Sequence, residues 1–140
     1  MKIVVDANII FACILRNGAT RRLILNPELE LIAPEFIVKE FAKYANELKA
    51  KYTGADPAFD KIVEDILSII KLIPDEELQP YLPAAKHLIT DEKDLLYLAC
   101  ALNQNAVIWT NDKEYKKQTR ITIKTTSELL KEVGELKNKP

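Results

Sequence analysis

The run Leu95-Leu96-Tyr97-Leu98-Ala99-Cys100-Ala101-Leu102 is apolar almost all the way round a helix. A helix without a polar face must be covered on every side, so it belongs at the centre of a fold. The pattern predicts this helix over Asp91 to Asn103. A chain of 140 residues is long enough to bury it, and that length suits one domain, expected over residues 1–140. With 48% hydrophobic and 29% charged residues, the composition excludes a disordered chain and a membrane protein.

The remaining segments supply the cover. Lys2 to Val5 and Ala106 to Trp109 are short β-branched or apolar runs, read as buried strands. Leu29 to Ala33, Leu72-Ile73 and Ile121 to Ile123 are further strands. Helices are expected from Asn8 to Arg16, with Asn8 as cap, and from Thr20 to Leu25. A longer one runs from Glu35 to Lys51, with Pro34 in its first turn and Ile37, Phe41, Tyr44 and Leu48 as its apolar stripe. Others are expected from Pro57 to Ile70, with Ile62, Ile66, Leu67 and Ile70 inward, from Pro80 to Leu88, and from Ser127 to Val133. Strands alternating with helices point to an α/β fold with a parallel sheet covered on both faces. The long helical stretch in the middle is an elaboration on that plan.

Five acids fall at edges of this core. Asp6 follows the first strand. Asp112 follows Val107-Ile108-Trp109, with Thr110 and Asn111 between. Ligands of open α/β sheets bind beyond the carboxyl ends of the strands, although Asp and Asn also occur there simply as helix caps. Asn8 either caps the first helix or orients the Asp6 carboxylate. Glu40 lies three residues after Ile37 and four before Tyr44, at the border of the buried stripe. A carboxylate there is costly unless paired or holding a cation, and pairing with Lys39 or Lys43 is the alternative. Asp91 and Asp94 are one turn apart at the start of the apolar helix. Asp91 suits a helix N-terminus on dipole grounds alone, with Thr90 as a competing cap, whereas Asp94 sits directly against the apolar run. Asp6, Glu40, Asp94 and Asp112 thus come from four separate elements. Converging carboxylates repel one another, and oxygen-rich clusters that persist usually bind Mg²⁺ or Mn²⁺.

The net charge of -1 gives no global attraction for nucleic acid; any such attraction is local or comes through metal. Cys13 and Cys100 each sit in an apolar run without ligand spacing and are read as buried thiols. No apolar run spans a bilayer. The opening Met1-Lys2 leads straight into a strand, without the pattern of a secretory leader, so a cytoplasmic location is expected.

In order along the chain, Val5-Asp6-Ala7-Asn8, then Val38-Lys39-Glu40-Phe41, then Asp91-Glu92-Lys93-Asp94 with its Leu- and Ala-rich helix, then Trp109-Thr110-Asn111-Asp112, resemble the PIN-domain nucleases. VapC-like toxin ribonucleases belong to that family. The closing run Thr122 to Leu130 resembles its last strand and helix. The resemblance implies a three-layer α/β/α sandwich with a mostly parallel sheet, here with a helical insert from Asp56 to Leu88 that matches nothing diagnostic. It implies a Mg²⁺- or Mn²⁺-dependent endoribonuclease, often the toxin of a toxin–antitoxin pair and often a homodimer. A homodimer is expected also from the apolar content of Phe36 to Leu48 and Ile62 to Ile70. By motif, Asp6, Glu40, Asp94 and Asp112 would be the catalytic, metal-binding acids, Asp91 a further metal-binding position, and Asn8, Thr110 and Asn111 supporting residues.

Carboxylate-held metal needs no Ser, Cys or His nucleophile, and the single histidine, His87, is read as a surface or packing residue. Arg16, Arg21 and Arg22 after the first helix, and Lys113, Lys116, Lys117 and Arg120 after Asp112, are candidates to rim the cleft and contact phosphates. Trp109 either stacks a base or, as an apolar strand residue, packs inside. Three other readings remain: a non-catalytic PIN-like module binding RNA or a protein; a small-molecule phosphohydrolase with an aspartyl nucleophile, which Asn8 disfavours because it cannot act as a general acid; and a nucleotide-binding domain, disfavoured by the lack of a Gly-rich phosphate loop.

Overall fold

The computed structural model describes residues 1–54 and 56–137; residue 55 and residues 138–140 of the expected 1–140 domain lie outside the described residues. Strands β1 (Lys2–Val5), β2 (Glu30–Pro34), β3 (Lys71–Ile73), β4 (Val107–Trp109) and β5 (Ile123–Lys124) form one sheet in the order β3-β2-β1-β4-β5. Every pairing is parallel. A parallel sheet needs helices on both faces, and β1 shows why: Ile3, Val4 and Val5 are all 0% exposed, so both sides of the central strand are covered.

The helices that cover it are α1 (Ala7–Leu15), α2 (Ala19–Ile24), α3 (Phe36–Lys51), α4 (Asp56–Ser68), α5 (Asp75–Leu78), α6 (Leu82–Lys86), α7 (Leu95–Gln104) and α8 (Thr126–Lys137). The all-round apolar helix α7 lies across β1, β2 and β4, with α5 and α6 packed on it. Cover on α7 from both sheet and helices is what its sequence demands. On the other layer α1 packs against α2, α3 and α4, and α2 against α8. The middle segment expected as a helical insert also carries β3, the edge strand beside β2.

Several boundaries differ from the sequence reading, each for a local reason. Pro34 ends β2 rather than opening α3; it is the last residue of the strand, opposite Ile73 and beyond the last residue paired with β1, so its missing N–H falls where the ladder is already ending. Asp6, not Asn8, caps α1, accepting the Asn8 N–H. The segment from Pro80 to Leu88 is not one helix: Pro80 and Pro83 each begin a new piece, a 3-10 turn at Gln79–Tyr81 and then α6, because proline cannot donate to the preceding turn. The 3-10 turn Glu92–Asp94 precedes α7, and Asn105, at φ 51, ends it in the left-handed conformation. Asparagine tolerates that region, and the Ala106 N–H then closes on the Ala101 carbonyl at 3.0 Å. The last strand begins at Ile123, two residues later than expected, and a 3-10 turn at Lys113–Lys117 was not expected at all. Phe59 of α4 is buried although the expected inward stripe missed it, while Ile62 and Leu67 are only half-buried.

The strand order fixes where a site can form. Chain connections leave β1 toward β2 on one side and return beside it at β4 on the other, so the direction of winding reverses between β1 and β4. The crevice beyond the carboxyl ends of those two strands is the position where open α/β sheets bind ligands. Asp6 ends β1, and Thr110-Asn111-Asp112 ends β4.

Candidate active site

A cavity of about 460 Å³ opens at that crevice. It is lined by Asp6, Asn8, Glu40, Asp91, Asp94 and Asp112, so every acid singled out in the sequence and one supporting residue meet there. The register explains the first contact. Val5 pairs with Trp109, which sets Asp6 beside Thr110. The Asp6 N–H donates to the Trp109 carbonyl at 3.2 Å, and the Thr110 hydroxyl donates to Asp6 Oδ2 at 2.7 Å. Thr110 is fully buried and Asp6 only 7% exposed.

Asp112 is held by local backbone geometry. Its N–H donates to Thr110 Oγ1 at 3.1 Å, and its Oδ1 accepts the Glu114 N–H at 3.0 Å, capping the 3-10 turn that follows. Asn111 points away from the cavity into a brace: its amide oxygen accepts the Thr126 N–H at 2.9 Å and its amide nitrogen donates to Thr126 Oγ1 at 3.1 Å. Trp109 is 0% exposed and donates its ring N–H to the same Oγ1. It is a packed strand residue and offers no face to a base.

The helix-borne acids are held differently. Tyr97 of α7 donates its hydroxyl to Glu40 Oε1 at 2.5 Å, and Tyr115 donates to Asp94 Oδ1 at 2.8 Å. Both tyrosines are buried and their pKa values are pushed well above the ordinary value, first by burial and then by the surrounding acids; they remain donors throughout the physiological range. The sequence reading missed both. Asp91 accepts the Lys93 N–H at 3.0 Å and caps its turn, as the dipole argument anticipated.

The carboxylates sense one another. Asp94 is raised from 3.8 to about 6, first by burial, against the Tyr115 hydrogen bond, with Asp91, Asp6 and Asp112 adding repulsion. Asp6 is raised by burial and by Asp112, and Glu40 by burial and by Asp6, against the Tyr97 bond and the charges of Lys43 and Lys93. Lys43, three residues after Glu40, is thus felt, but no direct ion pair forms among the described residues.

The donor chemistry suits a hard divalent cation. The cavity lining carries six carboxylates, Glu47 included, against Lys51 and Lys93. It holds no histidine or cysteine, and the exposed His87 lies elsewhere. Among the described residues, one oxygen each of Glu40, Asp91, Asp94 and Asp112 has no hydrogen-bond partner, although no three His, Cys, Asp or Glu residues are gathered round a single point. Mg²⁺ is commonly held by only one or two carboxylates with water completing its shell, so this arrangement fits such an ion.

The basic residues expected at the rim divide. Arg21 is committed to the fold: its guanidinium donates to the carbonyls of Cys13 and Ile14 at 2.9 and 3.0 Å, satisfying the end of α1. Lys116 pairs with Glu128 and Lys117 with Glu114. Arg16, Arg22, Lys113 and Arg120 are exposed but line neither this cavity nor its neighbour. The cations that do line the cavity, Lys51 and Lys93, were not picked out. A signal existed for the first: Lys39, Lys43, Glu47 and Lys51 recur every four residues, a single stripe along α3.

Comparison with known proteins agrees with this architecture. No curated protein matches the chain. Among solved structures, VapBC2 from Rickettsia felis, in a crystal bound to a DNA fragment from its promoter, matches with a TM-score of 0.68 at 18% identity, over 89% of this chain and 98% of that one. PAE2754 from Pyrobaculum aerophilum matches with a TM-score of 0.64 at 21% identity, over 96% and 90%. VapBC-1 from nontypeable Haemophilus influenzae matches with a TM-score of 0.64 at 20% identity, over 91% and 99%. Identities this low speak for a shared fold. No helix among the described residues is long and apolar enough to cross a membrane. The family model described as a PIN domain matches residues 4–133, and the chain belongs to the PIN-domain family, whose members are generally nucleases.

Proposed function

We propose that this chain, as a single PIN-like domain over residues 1–140, is a metal-dependent endoribonuclease that hydrolyses RNA phosphodiesters. Acids from four separate elements lining one cavity at the sheet's switch point is the observation that carries the reading. Asp6, Glu40, Asp94 and Asp112, with Asp91 beside them, would hold Mg²⁺ or Mn²⁺. Such an ion, when bound, lowers the pKa of a coordinated water and neutralises charge on the phosphoryl group.

The chain's own residues have the remaining tasks. A cavity with six acids and two lysines repels a phosphodiester, so the scissile phosphate would enter it only where cations offset those charges. Tyr97 and Tyr115 fix one oxygen of Glu40 and of Asp94, leaving the other for a ligand. Thr110 holds Asp6 and the Asp112 backbone in one register. Lys93, without a direct ion pair among the described residues, meets the phosphate at the cavity wall, whereas Lys51 pairs with Glu47.

The VapBC likeness supports a toxin role with an antitoxin partner in the cytoplasm. Val38, Ile69 and Leu72, 42%, 43% and 37% exposed on α3, after α4 and on β3, support a homodimer. A non-catalytic PIN-like module is favoured by one observation, the lack of three converged acids among the described residues. Cleavage of mixed RNA and DNA substrates with Mg²⁺, Mn²⁺ or chelator separates the two. The nuclease reading expects RNA cleavage with metal and none in excess chelator; cleavage undiminished by chelator, or absent with either metal, rejects it.

A further inference from the structure

Next to the acidic cavity is a second cleft of about 280 Å³ with the opposite balance of charge. Phe36, Lys39, Lys43 and Tyr44 of α3 line it together with Lys93 from the turn before α7, and Glu40 is its one acid. Glu40, Tyr44 and Lys93 belong to both linings, so the two spaces adjoin. The sharing brings together elements more than forty residues apart in sequence, and no local helix pattern requires it.

The three lysines are exposed and make no direct ion pair among the described residues. Glu40 feels Lys43 and Lys93, and Asp75 feels Lys39, only through space. By contrast Lys51, Lys61, Lys116, Lys117 and Lys124 each have a carboxylate partner. Three cations against one acid leave the cleft with an excess of positive charge that favours an entering anion. The floor is aromatic: Phe36 and Tyr44 are half-buried, and the Lys43 ammonium lies 5.4 Å from the Tyr44 ring centroid. Cations above an aromatic surface are the combination that tracks a nucleic-acid strand, with phosphates on the cations and a base or ribose on the ring.

We infer that this cleft docks the nucleic-acid strand next to the acids, with Lys39, Lys43 and Lys93 each meeting a backbone phosphate and Phe36 and Tyr44 meeting a base or sugar. The inference rests on the nuclease reading for the direction in which the strand runs, but the docking itself needs no cleavage. It also replaces most of the rim expected from the sequence: the working cations lie on α3 and before α7, not after α1 or after Asp112.

The test is fluorescence anisotropy of a labelled ten-nucleotide RNA in chelator, across a salt series. Lys39→Ala, Lys43→Ala and Lys93→Ala are combined in one variant, with Lys2→Ala, Lys86→Ala and Lys131→Ala, exposed residues outside both clefts, combined as control. Removing one phosphate-binding cation from a complex with a single strand reduces the slope of log affinity against log salt by about 0.7. The first variant should therefore show a slope smaller by about 2 and an affinity more than tenfold weaker at 50 mM salt, while the control keeps both. Arginine at the same three positions should restore binding. No binding by the wild type, an equal loss in the control, or equal competition from a polyglutamate of matched charge would each overturn the docking site. With metal added, cleavage by a protein whose salt slope is indifferent to the three lysines leaves the nuclease reading standing and removes the docking site. A slope that falls as expected in a protein that never cleaves does the reverse.

Discussion

The acids of the cavity come in two kinds, distinguished by how they are held. Asp6 and Asp112 follow strands, and their positions are set by strand register, backbone N–H groups and one buried threonine. Glu40 and Asp94 belong to helical elements, and each is fixed by the hydroxyl of a buried tyrosine distant in sequence. The strand-borne pair doubles as turn capping, so its carboxylates serve the fold even without a ligand. The helix-borne pair has no capping role. Asp94 in particular is half-buried among like charges, an arrangement that serves a ligand better than the fold.

Replacement of the acids themselves should give the largest effect and break the two kinds apart. Asp94→Asn and Asp112→Asn should each reduce cleavage by more than the roughly 10–100-fold typical of outer partners of a metal site. Their stabilities should differ. Asp94→Asn relieves repulsion and should leave the metal-free protein equal or higher in stability, by about 0.5–2 kcal/mol. Asp112→Asn should be near neutral, because asparagine caps as well as aspartate. Thermal melts with and without Mn²⁺ measure both, and Mn²⁺ should stabilise the wild type by mass action and the variants much less. Variants that melt clearly lower yet gain from Mn²⁺ as the wild type does would leave these acids as caps only.

The supporting hydroxyls come next in size. Thr110→Val leaves the buried Asp6 carboxylate without its shortest hydrogen bond, and should cost about 1–3 kcal/mol in stability together with activity. Tyr115→Phe removes a donor from a partly exposed acid. It should spare most of the stability while raising the metal concentration needed for half-maximal cleavage by roughly 10–100-fold. Equal stability losses in the two variants, measured by urea unfolding, would erase the distinction between strand-held and helix-held acids.

The smallest effect is on pH dependence. Asp94 ionises at about 6 in the folded chain against an ordinary 3.8. Between those values the folded state binds more protons than the unfolded, so this group's contribution is present in mild acid and is lost as pH rises through about 6. For a partly exposed carboxyl the difference between pH 5 and pH 7.5 is on the order of 1 kcal/mol. Metal-free melts should show it in the wild type and lose most of it in Asp94→Asn; an unchanged dependence in the variant would assign it to Asp6 or Glu40, which are raised in the same direction.

What the sequence revealed follows the same division. The β-branched runs, the all-round apolar helix and the acids at strand ends were legible because period and position along the chain carry that information. Glu40 was found because it interrupts an apolar stripe. Tyr97 and Tyr115 were not, since an aromatic residue inside an apolar run reads as core, and only the packed structure shows where its hydroxyl goes. The basic residues expected at the rim line neither cleft, for a related reason. Lysines close to Asp112 in sequence find local carboxylates such as Glu114 and Glu128, whereas Lys93 reaches the α3 lysines only through the fold. The break around Pro80 and Pro83 was legible as well, since each proline opens a new helical piece.

The bond between Thr110 and Asp6 joins residues 104 positions apart. A ribosome adding about 5–20 residues per second makes Asp6 roughly 5–20 s before it makes Thr110. Through that interval the first strand has no β4 beside it, and the acid that ends it has only its local cap on the Asn8 N–H and lacks the Thr110 hydroxyl. Any product that stops short of Asp112, whether from a stalled ribosome or an early stop codon, lacks half of the strand-end pair. The cavity is therefore assembled only after Asp112 has been made, and a product that ends before it lacks one of the acids that line the cavity.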